Sequence, residues 1–329
     1  MLYDVSLHLA YHYEAQASGA HHMLRLLALH GAHRVLRVRL NGAHDGGDLA
    51  RRVARAFGQP LHLLGHDREA SARLAGAVTI SPEPDELMNF VDFFRHPASH
   101  AILRAPNEKL DIRMHARFMV QPQPITVDFS PILDRLPQEI AETWTLDAES
   151  PHHFIGTSPR LPRDKDIAAY AREELKPSMT VRQVGEQLCS RIYHDFKYDA
   201  DATTVDTSPA EAFSEKHGVC QDFTHVMITA LRILGIPAGY VSGFLRTIPP
   251  PGKERLEGAD AMHAWVRVWC GKTTGWVELD PTNNIPAGTD HIVVGYGRDY
   301  SDVAPVIGVL KTYGKHKTDQ AVDVIPVKQ

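Results

Sequence analysis

Gly218-Val219-Cys220-Gln221-Asp222-Phe223-Thr224-His225 sets a cysteine where a loop gives way to an apolar helix. Phe223, Met227, Ala230, Leu231 and Leu234 recur at intervals of three and four, and Gly235 and Pro237 close the run, so the spacing predicts a helix. Cys220 falls in or just before its first turn. There the unpaired N–H groups and the positive end of the helix dipole favour a thiolate. A lone cysteine also reads as a small buried apolar side chain, and the residues downstream decide between the two.

Met262-His263-Ala264-Trp265-Val266-Arg267-Val268-Trp269 and, after Gly271-Lys272-Thr273-Thr274-Gly275, Trp276-Val277-Glu278-Leu279-Asp280-Pro281-Thr282 both alternate as strands of a hairpin. Ala264, Val266 and Val268 share one face of the first strand, and Val277 and Leu279 are the apolar set of the second. If both sets face the core, His263, Trp265, Arg267, Trp269, Trp276, Glu278 and Asp280 share the other side. A two-residue loop pairs 263 with 280 and a four-residue loop pairs 265 with 280; either keeps His263 and Asp280 on one face. An odd loop breaks that parity unless a bulge restores it.

A cysteine at a helix start, a histidine on a strand and an aspartate on the next strand are the parts of a thiol triad. With these in place the chain resembles the transglutaminase-like superfamily, in particular its bacterial cysteine-protease branch. The motifs that carry the likeness are Gly218-Val219-Cys220-Gln221-Asp222-Phe223, Ala261-Met262-His263-Ala264-Trp265, Asp280-Pro281-Thr282-Asn283-Asn284 and Gly297-Arg298-Asp299-Tyr300. The likeness is best from Pro159 to Pro305. It implies an α+β papain-like, transglutaminase-like core, in which a helix bearing Cys220 packs on an antiparallel sheet bearing His263 and Asp280. A β-rich N-terminal domain precedes that core. The expected division is residues 1–150 for the β-rich domain and 151–329 for the catalytic domain with a C-terminal return strand. The resemblance also places Arg298 and Asp299 near the cleft; together with Gln221, Trp265 and Tyr198 they are the substrate-binding candidates.

Composition narrows the partners. The chain has 329 residues and a formal charge of −5, with no basic run interleaved with aromatics, which argues against a nucleic-acid surface. No apolar run approaches a membrane span of ~18 residues, and the N-terminus lacks a basic region followed by an apolar one, so the expectation is a cytoplasmic protein without a membrane partner. Three cysteines, Cys189, Cys220 and Cys270, with no Cys-x-x-Cys, fit a reducing compartment rather than a disulfide framework or structural zinc. Twenty histidines include His21-His22 and His152-His153, yet neither pair has ligand spacing and no His-Glu-x-x-His occurs. No metal and no cofactor is expected, and no Asp-x-Asp-x-Asp-Gly calcium loop is present.

The N-terminal part reads as strands at Tyr3 to Tyr13, His22 to Leu29, Arg34 to Leu40 and Lys109 to Val120, with an amphipathic helix at Gly46 to Gly58. Beyond a proline-bearing junction, Asp164 to Leu175 reads as a helix. Thr180 with Gln183 and Ser208 with Glu211 read as capping boxes of two more. Arg246 to Asp260 reads as a polar loop that could gate the site or bind substrate.

The expected chemistry is attack of the Cys220 thiolate on an amide carbonyl, with His263 as acid and base and Asp280 orienting the ring. The Cys220 N–H is the first oxyanion donor, and Tyr198 and Gln221 are the candidates for the second. Hydrolysis of a peptide, protein or small amide is the first reading, transfer of the acyl group to an amine the alternative, and a non-catalytic peptide-binding module the third.

Overall fold

The computed structural model describes residues 1–27, 71–121, 127–248, 258 and 260–327. The strand read at Arg34 to Leu40, the helix read at Gly46 to Gly58 and most of the Arg246 to Asp260 loop lie outside the described residues.

In chain order the first strands are β1 (Leu2–Leu24), β2 (Ser71–Ser81), β3 (Glu86–Val91), β4 (Pro97–Leu103) and β5 (Asn107–Val120). A helical stretch follows with α1 (Leu136–Glu142), α2 (Lys165–Arg172) and α3 (Val181–Asp195). Then come β6 (Lys197–Tyr198), α4 (Pro209–Glu215), β7 (His217–Gly218) and α5 (Cys220–Ile233). The chain ends with β8 (Ala238–Leu245), β9 (Ala261–Trp269), β10 (Trp276–Asp280), β11 (Ile285–Pro286), β12 (His291–Gly297), β13 (Val306–Lys311) and β14 (His316–Pro326).

β1 is one long strand where the sequence suggests two. Its alternation buries Val5, Leu7 and Leu9, and a register shift between His12 and Ala17 lets it change partners. The first half lies between β5 and β14, the second between β4 and β13. The C-terminal strands therefore return into the N-terminal seven-stranded sheet, with β14 running from Tyr13 back to Tyr3 along β1.

The second sheet has the order β11-β10-β9-β8-β12 and is antiparallel throughout. One face carries Ala264, Val266, Val268 and Leu279 against the helices, in a core that also takes Val184 and Leu188 of α3 and Phe223, Val226, Met227, Ala230 and Leu231 of α5. Each of those large side chains withdrawn from water contributes on the order of 1.5–3 kcal/mol. Because α5 is covered on every side, it is a central helix rather than a surface one. Beyond the helices the same face continues, and Phe244 and Ile292 there join the core of the N-terminal sheet, while the other face buries Val241, Trp265 and Val293. The helical core reaches back to Leu136 and Ile140 of α1.

The expected caps are present. Asp164 accepts the N–H groups of Asp166 and Ile167 at the start of α2, and Thr180/Gln183 and Ser208/Glu211 form reciprocal boxes on α3 and α4. α2 stops at Arg172, three residues short of the sequence reading.

Gly243 is fixed by its neighbours. It sits opposite His263 on β9, and a Cβ there would press on the Ile292 carbonyl and come within 2.6 Å of the Trp265 ring. Gly243→Ala is expected to lower stability by about 1–3 kcal/mol through overpacking, read as a lower denaturant midpoint with an unchanged slope.

Candidate active site

The approach to Cys220 is set by a short, tightly bonded turn. α4 ends with Lys216 in the left-handed region, and Gly218 follows at φ +152, also in a conformation that favours glycine. A Cβ on Gly218 would meet Asp222 Oδ2 at 2.5 Å. That oxygen accepts the Val219 N–H at 2.8 Å and the Thr203 hydroxyl at 2.7 Å, so the third helical residue ties down both the helix start and the 199–207 loop. β6 and β7 pair in parallel with Tyr198 opposite Gly218. Tyr198 stays exposed, and burial of its ring followed by the charge of Cys220 raises its phenol.

The hairpin supplies the rest. Trp276 pairs with Trp269 and Leu279 with Val266, which places residue 280 opposite 265, the register of the four-residue alternative. The turn itself, residues 270–275, contains the one-turn helix Gly271–Thr274 and holds an even number of residues, so the parity survives. His263 and Asp280 share a face and meet: His263 Nε2 lies 2.8 Å from Asp280 Oδ2. With Nε2 committed there, the other ring nitrogen is left for the hydrogen bond between His263 and Cys220.

Burial of the His263 ring opposes its charge, yet hydrogen bonds to Asp280 and Cys220 and the charges of both raise it to about 10. Asp280 is fully buried, which works against ionisation. Hydrogen bonds from His263 and His291, the charge of His263 and the Asn283 amide nevertheless hold it well below the usual carboxylate range. The other two thiols are of a different kind: Cys189 and Cys270 are buried, and burial pushes Cys189 up to about 12.

Two residues of the site were not read from the sequence. Asn283 donates its side-chain amide to Asp280 Oδ2 at 2.7 Å, while the Thr282 and Asn283 N–H groups reach Asp280 Oδ1 at 2.9 and 3.2 Å. This is an aspartate-capped turn of the type Asp-Pro-Thr-Asn favours, and that signal was available. His291, at the start of β12, places Nε2 3.0 Å from the same Oδ2. No spacing rule points to it, since β12 joins the sheet beside β8, with two strands between it and β10.

His263, Asp280 and His291 offer three atoms within 4.8 Å of one another, the only such group among the described residues that could hold a metal. Hydrogen bonding accounts for it better. The Gly288 N–H donates to His291 Nδ1 at 3.2 Å, so in the neutral ring the proton sits on Nε2, facing Asp280. Ligation through that nitrogen would need the ring to lose its last proton.

The substrate-binding candidates fare differently. Tyr198 is the one left open beside Cys220. Gln221 is buried and spends its amide on the Val205 carbonyl at 3.0 Å, holding the 199–207 loop. Trp265 is completely buried behind His263, stacked on its ring at 5.9 Å and donating Nε1 to Glu278 at 2.7 Å, so it offers a substrate no surface. Asp299 is also completely buried, accepting N–H groups from Arg160 and Ser301. Arg298 is clamped by Asp302 and lines a cavity of about 490 Å³ with Arg25, Phe93 and Phe94 from the N-terminal sheet. The Gly-Arg-Asp-Tyr element instead braces the back of α5: Tyr300 N–H donates to His225 Nε2, and Arg232 donates to the Arg298 carbonyl at 2.7 Å. Its physical role is to hold the helix that presents Cys220, which motif order alone did not reveal.

A cysteine at the start of a buried helix, facing a histidine and aspartate on adjacent antiparallel strands, defines a papain-type arrangement. A family model described as the transglutaminase-like superfamily matches residues 167–281. An uncharacterised protein of Mycobacterium tuberculosis is 36% identical over 266 residues, covering 77% of this chain and 82% of that one. A second, from Mycobacterium leprae, is 38% identical over 130 residues, 39% of this chain and 44% of the relative. Among solved structures, a candidate cysteine protease from Cytophaga hutchinsonii superposes with a TM-score of 0.67 at 17% identity, covering 100% of this chain and 91% of that one, a likeness of fold. The chain belongs to the transglutaminase-like superfamily. Among the described residues no helix is long and apolar enough to cross a membrane.

Proposed function

We propose that this protein cleaves amide bonds by thiol chemistry, with Cys220 as nucleophile, His263 as the proton carrier and Asp280 as its orienting partner. The observation that carries the reading is the continuous hydrogen-bonded chain from Cys220 through His263 to a buried, ionised Asp280. Sγ attacks the carbonyl carbon, the oxyanion forms against the Cys220 backbone N–H, and the exposed Tyr198 hydroxyl is the candidate second donor. His263 gives its proton to the departing amine, leaving a thioester. It then takes a proton from water, whose oxygen attacks the thioester and frees the acid and the thiol. An amine in place of water would give transfer instead through the same thioester. The substrate class is a peptide, a protein side-chain amide or a small amide; nucleic acid and membrane are not partners in this reading. Three free cysteines support a cytoplasmic setting.

The test needs no substrate. Alkylation of each cysteine by iodoacetamide at about pH 6, where an unperturbed thiol is less than about 1% ionised, is read by peptide mass spectrometry in the parent and in His263→Ala. Cys220 is expected to react at least tenfold faster than Cys189 and Cys270, and to slow in the variant. Equal rates at all three positions would end the reading. With an active thiol in hand, peptide amides assayed with and without added primary amine separate hydrolysis from transfer, and a chelator is expected to leave either rate unchanged.

A further inference from the structure

We infer that His291 is a positioning residue that tunes the Asp280–His263 pair, making the site a four-residue relay rather than a triad. The inference rests on the proposed Cys220–His263–Asp280 chemistry and adds a fourth member to it. Asp280 Oδ2 receives three N–H groups at once, from His263 at 2.8 Å, His291 at 3.0 Å and the Asn283 amide at 2.7 Å. A carboxylate oxygen has limited electron density to share, so each added donor weakens the pull it exerts on the others.

His291 is built to be a permanent donor. Its Nδ1 accepts the Gly288 N–H at 3.2 Å, and its own backbone N–H returns to the Gly288 carbonyl at 3.1 Å. That closed turn fixes the ring in the tautomer with hydrogen on Nε2. The ring is 3% exposed and held on its other sides by Trp265, edge to face at 5.1 Å, and by His263 at 6.0 Å. The charged groups facing it are Asp280, His263 and, across the sheet, Glu278, whose carboxyl senses His291. Its neighbour Asp290 accepts hydrogen bonds from Tyr3 at 3.1 Å and Arg246 at 2.6 Å, which anchors the turn to the N-terminal sheet.

The consequence is directional. With His291 donating, Asp280 is a weaker base than a simple His–Asp pair would make it, so His263 holds its proton firmly enough to pair with Cys220 yet can still give it to a leaving amine. Replacing His291 by a ring without a donor leaves Asp280 in place, because Asn283 and two backbone N–H groups still hold it. The carboxylate then pulls harder on His263.

The test uses the full chain with nitrogen-15-labelled histidine, comparing the parent with His291→Phe and His291→Gln. In His291→Phe the His263 Nε2 proton resonance is expected to move downfield and the His263 titration midpoint to rise by about one unit. Turnover is expected to fall up to tenfold in kcat with KM unchanged. His291→Gln, which restores an N–H donor, is expected to bring the resonance and most of kcat back; it also keeps the test open if the phenylalanine variant fails to fold. A resonance and midpoint that stay put or move the other way overturn the inference, since a merely structural ring would not move them. The two readings fail separately. An inert Cys220 in the parent sinks the thiol chemistry, whereas a reactive, His263-dependent Cys220 with an indifferent His291 sinks only the relay.

Discussion

Cys220→Ala is expected to lower kcat on peptide or small amides by about 10⁴-fold or more while leaving the fold in place. The chemical half of that expectation follows from position. Cys189 and Cys270 are buried, and among the described residues no other thiol or base-paired hydroxyl lies at the end of the His263–Asp280 chain. The structural half follows from the site's construction, since the turn that presents Cys220 is held by Asp222, Thr203 and Gly218 and not by the sulfur. Removing one small, partly exposed side chain therefore costs at most about 1 kcal/mol. Initial rates of parent and variant, with circular dichroism of both, check it. A variant that keeps more than about one hundredth of the parent rate would show that the reaction does not pass through a thioester on Cys220.

Much of this site was legible in the sequence because its logic is local periodicity. The apolar spacing after Phe223 gave α5 and put Cys220 in or just before its first turn, and the alternation on either side of Gly271 put His263 and Asp280 on one face for any even loop. The two capping boxes were read to the residue for the same reason, a fixed offset of three. What was missed depends on contacts between segments remote in sequence. β1 runs on as one strand because four different strands pair along it, which its own alternation cannot announce. Trp265 and Asp299 looked available to substrate as members of motifs, but Trp265 is packed among Val241, Ala287 and Val293, and Asp299 is buried in the brace behind α5. His291 could be found only once β12 was placed against β8.

Asp280→Asn is the substitution expected to damage both fold and chemistry. The side chain is completely buried and gathers five donors: His263, His291 and the Asn283 amide on Oδ2, and the N–H groups of Thr282 and Asn283 on Oδ1. An asparagine presents an NH₂ group where one set of those donors points, and no charge to pair with His263. Breaking such a buried pair costs on the order of 3–5 kcal/mol. The pH dependence carries the signature. Asp280 is depressed in the folded state, so its contribution is present above its unfolded value of roughly 3.9 and is lost as the pH falls through the folded one. His263 is raised, so its contribution is complete below its unfolded value of roughly 6.5 and is lost as the pH rises through about 10. The stability gap between parent and Asn variant is therefore expected to be widest between about pH 4 and 6.5 and to close on both sides. Turnover should fall by about 10²–10⁴-fold, and the alkaline limb of the residual activity should move from near 10 toward neutral as His263 loses its counter-charge. Denaturant midpoints measured across that range decide the matter: a gap that does not change with pH would mean that Asp280 and His263 are not charged partners in the folded protein.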